Sequence, residues 1–247
     1  MKPKIIILAS RNAHKTAELA AMLGNAFEVK NLRDFPNAPE VVEDADTFAG
    51  NATLKAVTLA NWLAGFHFDT PADSMALAAW LTKDQSAARK ARENWYVLAD
   101  DSGLEVDALG GQPGVHSARF ANDDTGAPGN SSDADNNAKL LRLLADEPRP
   151  WKARFRCVLA FTPVPSNPAA TFSPTCNLSE AEVATRLFDG ACEGEIIPLA
   201  SGASGFGYDP LFVPSGFGQT FAELGDETKN KFSHRAEAMK KFKAALG

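Results

Sequence analysis

The sequence predicts a mixed α/β fold. In the first half of the chain, short β-branched apolar runs alternate with stretches of helical spacing. In the second half, strand-like runs cluster together. Interleaved elements followed by grouped strands favour one mixed sheet with helices packed on it. The 247 residues suit one large domain or two lobes that share a core.

Each element has its own local warrant. Residues 4–9 form a β-branched apolar run of the kind that fills a central strand. Residues 14–23 carry Leu19, Met22 and Leu23 at helical spacing and stop at Gly24. A second strand is expected over 27–31, and a loop rich in Pro and acid over 33–46. A long helix is expected from Thr47 to about Ala64. Residues 65–94 read as an excursion, with a loop at Pro71 and a helical stretch through Met75, Leu77, Trp80 and Leu81. A buried strand follows over 95–99 and ends at Asp100 and Asp101. Residues 121–132 are a polar, Gly-rich loop, and 135–144 have helical spacing. A strand over 154–162 leads to a Pro- and Ser-rich hairpin tip at 163–179. Two more strands are expected near 181–188 and 192–197, then a Gly-rich loop over 202–212. The last helix is expected to start near Ser233 and run to Leu246.

Bulk properties exclude several function classes. Hydrophobic residues make up 45% of the chain and charged residues 23%, as in an ordinary soluble protein. The formal net charge of −6 argues against nucleic-acid binding, which needs many cations to neutralise phosphates. A small phosphorylated ligand needs only a few local cations, a helix start or a metal, and is compatible with that charge. Cys157, Cys176 and Cys192 are widely spaced and form no CxxC pair, so neither a zinc cage nor a disulfide framework is expected. The N-terminal apolar run is too short for a signal peptide, and a spanning segment needs about 18 apolar residues in a row. A cytoplasmic protein with no membrane partner is the expectation.

Six segments could carry chemistry. Ser10, Asn12 and Lys15 stand between a strand and a helix, where backbone N–H groups suit an anion; the same residues also suit an N-cap with a solvated lysine. Asn51 and Lys55 are four apart and share a helix face downstream of Glu43. They could face phosphate while Glu43 faces a metal, or simply form a polar surface. Asp100, Asp101 and Ser102 follow an apolar strand, and ligand sites in α/β sheets lie at such strand ends. Magnesium takes oxygen ligands, commonly one or two carboxylates plus phosphate. Successive residues of an extended chain point to opposite faces, so the two aspartates can serve a metal and a water separately. Ser117 and Arg119, after a GGQPG turn, could line the site. Phe206 lies between Gly205 and Gly207, ahead of Tyr208 and Asp209; it could stack on a flat base or plug a tight loop. Downstream of Lys229, His234 and Arg235 bring cations to a helix start, which opposes the helix dipole unless an anion or carbonyl oxygen binds there.

In order along the chain, these segments resemble the inosine triphosphate pyrophosphatase family. The likeness rests on SxNxxKxxE at 10–18, TFxxNAxxKA at 47–56, ADDSGL at 99–104, LGGxPGVxSARFA at 109–121, GFGYDPLF at 205–212 and SHRAxA at 233–238. The resemblance implies an elongated, twisted mixed sheet in two lobes with a central cleft, usually as a homodimer. It implies hydrolysis of ITP, dITP and XTP to the monophosphate and pyrophosphate with Mg²⁺. By motif, Glu43, Asp100 and Asp101 would bind the metal, and Asp101 would activate water. Ser10, Asn12, Lys15, Asn51 and Lys55 would hold the triphosphate, with Ser102 beside them. Phe206, Gly207, Tyr208 and Asp209 would shape the base pocket, and Lys229, His234 and Arg235 would read the base and sugar. The whole chain would be one two-lobed domain with insertions at 65–94 and 163–179.

Two positions depart from the family pattern. Ala45 stands where Gly is usual, and Gly50 stands where Glu is usual. A Thr-x-x-Glu start would close a capping box, so a looser helix start is expected here. Two other functions compete: a pyrophosphatase for other modified nucleotides, and a nucleotide-binding sensor without catalysis.

Overall fold

The structure, a computed structural model, describes residues 4–64, 94–124, 126–165 and 180–246. The predicted excursion at 65–94 and the hairpin tip at 163–179 lie almost wholly outside the described residues.

Among the described residues, six strands form one mixed sheet in the order β2-β1-β3-β4-β5-β6. They are β1 (Ile5–Leu8), β2 (Glu28–Asn31), β3 (Trp95–Val106), β4 (Trp151–Pro163), β5 (Arg186–Ile196) and β6 (Phe212–Pro214). β1 pairs in parallel with β2 on one side and β3 on the other, with Ile5 opposite both Glu28 and Trp95. β5 and β6 pair antiparallel. Parallel partners need crossover connections, and the helical spacing between the early strands supplies them. α1 (Ala13–Leu23) joins β1 to β2, and α2 (Phe48–Ala64) lies between β2 and β3. A parallel strand covered on both faces should be apolar throughout, and Ile6, Ile7 and Leu8 are fully buried.

The chain forms two compact units. The first comprises Met1–Asp100 and Leu159–Leu187, and the second Asp101–Val158 and Phe188–Gly247. In the first unit, Phe35 packs edge-on against Trp62 of α2 and Trp95 of β3, at 6.3 and 6.4 Å. In the second, Phe155 of β4 meets Phe212 at 4.8 Å and Phe221 at 5.8 Å, within a core that includes Leu104, Leu140, Leu144 and Trp151. Its helices are α3 (Asp133–Leu144), α5 (Phe221–Phe232) and α6 (His234–Leu246), while the short α4 (Glu180–Ala184) belongs to the first unit.

Two expectations are corrected. β3 does not end at the aspartate pair but continues to Val106, because Leu104 and Val106 keep the buried alternation going. The expected pair of strands over 181–197 is one helix, α4, and one strand, β5. β5 alternates through Phe188, Gly190, Cys192, Gly194 and Ile196, all buried, as one half-covered strand should. α5 has no counterpart among the expected elements, although Thr220 and Glu223 form a complete capping box at its start.

Candidate functional site

The first unit reverses strand order at β1, since the chain runs from β1 to β2 on one side and reaches β3 on the other. Ligands in α/β sheets bind beyond the carboxyl ends of strands at such a reversal. Residues 9–12 leave β1 there, with Ala9 N–H still bonded to the Leu98 carbonyl at 2.9 Å. Ser10 Oγ accepts from Asn12 N–H at 3.2 Å, and Asn12 Oδ1 caps α1 by accepting from Lys15 N–H at 3.0 Å. Lys15 reaches from the first turn of α1 to Asp100, with Nζ 2.8 Å from Oδ1. The Asp100 side chain is fully buried, so the ammonium supports a carboxylate that water does not reach.

A second pair of the same kind lies in this unit. Lys55 Nζ on α2 is 3.0 Å from Glu43 Oε2 in the loop before the helix. Asn51, one turn earlier, is buried. Its Oδ1 accepts from Ala45 N–H at 3.0 Å, and its Nδ2 has no hydrogen-bond partner among the described residues. A buried, unsatisfied donor is costly and suits a site that an oxygen atom fills. The structure thus brings each lysine to one of the carboxylates, Lys15 to Asp100 and Lys55 to Glu43.

Beside α1, a cavity of about 500 Å³ is lined by Ser10, Arg11, Thr16, Asn31 and Arg33 among others. It lies on the face of α1 turned away from Lys15 and includes none of the carboxylates.

The second unit opens at Asp101, which is 6% exposed and next to Asp100 on β3. Ser102 Oγ accepts from Arg235 Nη2 at 3.2 Å. His234 and Arg235, expected in the first turn of the last helix, are there and are both buried. The His234 ring stacks on Phe155 with centroids 4.9 Å apart, and the Arg235 guanidinium lies 5.4 Å from the Phe206 ring centre. Lys229 Nζ is 4.7 Å from the same ring centre, so two cations flank one aromatic.

Asp209 ties this loop together. Its Oδ2 accepts from Phe206 N–H at 3.0 Å and from Lys229 Nζ at 2.7 Å. Gly205 has φ +78°, and a Cβ there would collide with the Asp209 carboxylate, so glycine is required. Tyr208 is buried, and its hydroxyl donates to the Ser117 carbonyl at 3.0 Å. Burial pushes the Tyr208 phenol well above its ordinary pKa, with the Asp133 and Asp123 charges adding to the effect. Ser117 itself accepts from Leu104 N–H at 2.9 Å and donates to the Gly114 carbonyl, so its contacts hold the fold. Asp133 and Asn137 of α3 also bond to Gly207, and no local motif signals that contact.

Residues 6–245 match the Ham1 family. The chain belongs to that family. Two relatives named dITP/XTP pyrophosphatase, from Geobacillus kaustophilus (strain HTA426) and Desulforamulus reducens, are each 40% identical to it. These matches cover 97% and 96% of this chain and 92% of each relative. Among solved structures, a HAM1 protein from Coxiella burnetii aligns with TM-score 0.68 at 30% identity, covering 98% of both chains. The Staphylococcus aureus Ham1 protein aligns with TM-score 0.65, also at 30% identity over 98% of both chains. The resemblance drawn from the six motifs is borne out.

The two departures in this Ham1 chain account for each other. A Cβ at Gly50 would lie 2.6 Å from Ala45 Cβ and 3.1 Å from Thr47 Oγ1, so the methyl of Ala45 leaves room only for glycine. The helix start is tied rather than loose. Thr47 Oγ1 accepts from Gly50 N–H at 3.0 Å, and Asn51 Oδ1 accepts from Ala45 N–H in the loop before the helix.

Proposed function

We propose that this Ham1 chain hydrolyses ITP, dITP and XTP, breaking the anhydride bond between the α- and β-phosphates to release the monophosphate and pyrophosphate. Its relatives' names and its family support the activity. The observation that carries it is the matched pairing of Lys15 with Asp100 and Lys55 with Glu43 in the first unit. Each site combines a carboxylate for a cation with an ammonium for a phosphate.

A divalent ion fits this donor set. Glu43 and Asp100 each already face a positive charge, and Mg²⁺ usually takes only one or two protein carboxylates. Glu43 and Asp100 would hold the ion with Asp101 alongside, and when bound it would neutralise phosphate charge.

The chain's own residues do the remainder. Lys15, Lys55 and the Asn51 amide hold the triphosphate and offset charge gathering on the departing pyrophosphate. Asp101 takes a proton from the attacking water. In the second unit, Phe206 stacks on the base and Arg235 donates to a 6-oxo group. Adenine, with an amino group at that position, leaves the donor unpaired and is disfavoured. Ala45 and Gly50 fit one another sterically and lend no support to a sensor that has lost catalysis. A homodimer in the cytoplasm belongs to the same proposal.

Asp101→Asn tests the chemistry. Turnover should vanish while nucleotide binding by calorimetry stays within about threefold, since the amide keeps the shape and loses the base. Full turnover in that variant would remove Asp101 from the mechanism.

A further inference from the structure

We propose that Asp133 and Asn137 on α3 are positioning residues that set the plane of the Phe206 ring and thereby govern affinity for the base. The inference rests on the reading that Phe206 receives the base.

Phe206 lies in a loop without regular secondary structure, so no ladder of backbone bonds fixes the direction of its side chain. That direction follows from the peptide units on either side of its Cα. The unit before it is held by Phe206 N–H on Asp209 Oδ2 at 3.0 Å. The unit after it is held by Gly207 N–H on Asp133 Oδ2 at 2.7 Å. The next is held by Asn137 Nδ2 on the Gly207 carbonyl at 3.0 Å. Asp209 belongs to the loop itself and ties it to α5 through Lys229, whereas Asp133 and Asn137 hold it from a second helix. Asp133 and Asn137 are one helical turn apart on α3, so they grip both polar groups of Gly207 from one rigid face.

Asn137 carries a further sign of constraint. Its Oδ1 is buried and has no hydrogen-bond partner among the described residues. A carbonyl can only accept, so the amide must turn its nitrogen to Gly207 and leave its oxygen unsatisfied. A buried acceptor left in this way is costly, and the clamp on Gly207 is what holds it there.

The donor and acceptor roles make the test sharp. Asp133→Ala and Asn137→Ala should each raise KM for dITP and XTP by about five- to tenfold, with kcat within about twofold. Asp133→Asn can still accept from Gly207 N–H and should stay within about twofold of the parent in KM. Any loss of helix-dipole stabilisation at the start of α3 would be shared by the Asn and Ala variants, so their difference isolates the clamp. Asn137→Asp cannot donate and should be no better than Asn137→Ala. In a Phe206→Ala background, the alanine changes at 133 and 137 should alter KM by less than about twofold, because the ring they orient is gone.

If Phe206→Ala raises KM but the α3 variants do not, the clamp is refuted and the base reading stands. Unchanged KM in Phe206→Ala itself overturns both. Equal effects of Asp133→Ala with and without Phe206 show a role unconnected with the ring and refute the inference.

Discussion

Replacing Lys229 by Met should lower the melting temperature far more than a surface change would. Lys229 Nζ and Asp209 Oδ2 are 2.7 Å apart, with side chains 1% and 2% exposed. Methionine keeps the length of the stem but removes the charge, so Asp209 loses its cation in a site that water does not reach. Removing one member of a buried pair costs about 3–5 kcal/mol. For a chain of this size each kcal/mol shifts the transition by roughly 2–4 °C, so a fall of roughly 6–20 °C is expected. Asp209→Asn added to Lys229→Met should recover at least half of it. The amide is neutral, and its oxygen can still accept the Phe206 N–H now bonded at 3.0 Å. Scanning calorimetry of the parent, both single variants and the double variant gives the coupling directly. A Lys229→Met transition within about 2 °C of the parent would refute the argument that this pair secures the loop.

Three further outcomes follow from particular contacts. Gly50→Ala should destabilise by about 1–3 kcal/mol through overlap with Ala45, and the same change in an Ala45→Gly background should cost less than about 1 kcal/mol; denaturant unfolding of the four proteins checks this. Phe206→Ala should raise KM roughly tenfold and change kcat less than about threefold, as loss of a stacking contact requires, read from steady-state kinetics with dITP. The Ser201 hydroxyl and the Thr220 backbone N–H hold the Glu223 carboxyl below its ordinary pKa of 4.5. Folding therefore favours its charged form: the stabilisation is fully present above that ordinary value and fades as pH falls through the lower, folded one. Glu223→Gln should flatten the acid limb of a melting-temperature profile between pH 5 and 3, about the range of carboxylate titration; an unchanged acid limb would count against the capping box as a source of acid lability.

The parts of this protein that were legible in the sequence are those with a local cause. β1 declared itself through an unbroken β-branched run, and α2 through Thr47 and the spacing of Asn51, Ala52 and Ala56. The end of β3 was misplaced because adjacent carboxylates resemble a turn. The strand continues since both aspartates are buried. α5 was hidden by its polar composition and by Gly225, which breaks the helical path at φ +74°. In the site, the residue types announced carboxylates and cations, but not their partners. That Lys15 would meet Asp100, or that His234 would lie flat on Phe155, depends on contacts far apart in the chain. Asp133 and Asn137 carry no motif, for their role exists only because α3 meets a loop some seventy residues later.

The most direct measurement is product analysis of the purified chain with Mg²⁺, offered XTP, dITP, ITP, GTP and ATP in separate reactions. The account predicts monophosphate and pyrophosphate in equal amounts from XTP, dITP and ITP, with ATP turned over at least about tenfold more slowly, as one unpaired buried donor implies. Orthophosphate in place of pyrophosphate, or ATP consumed as fast as XTP, would contradict it.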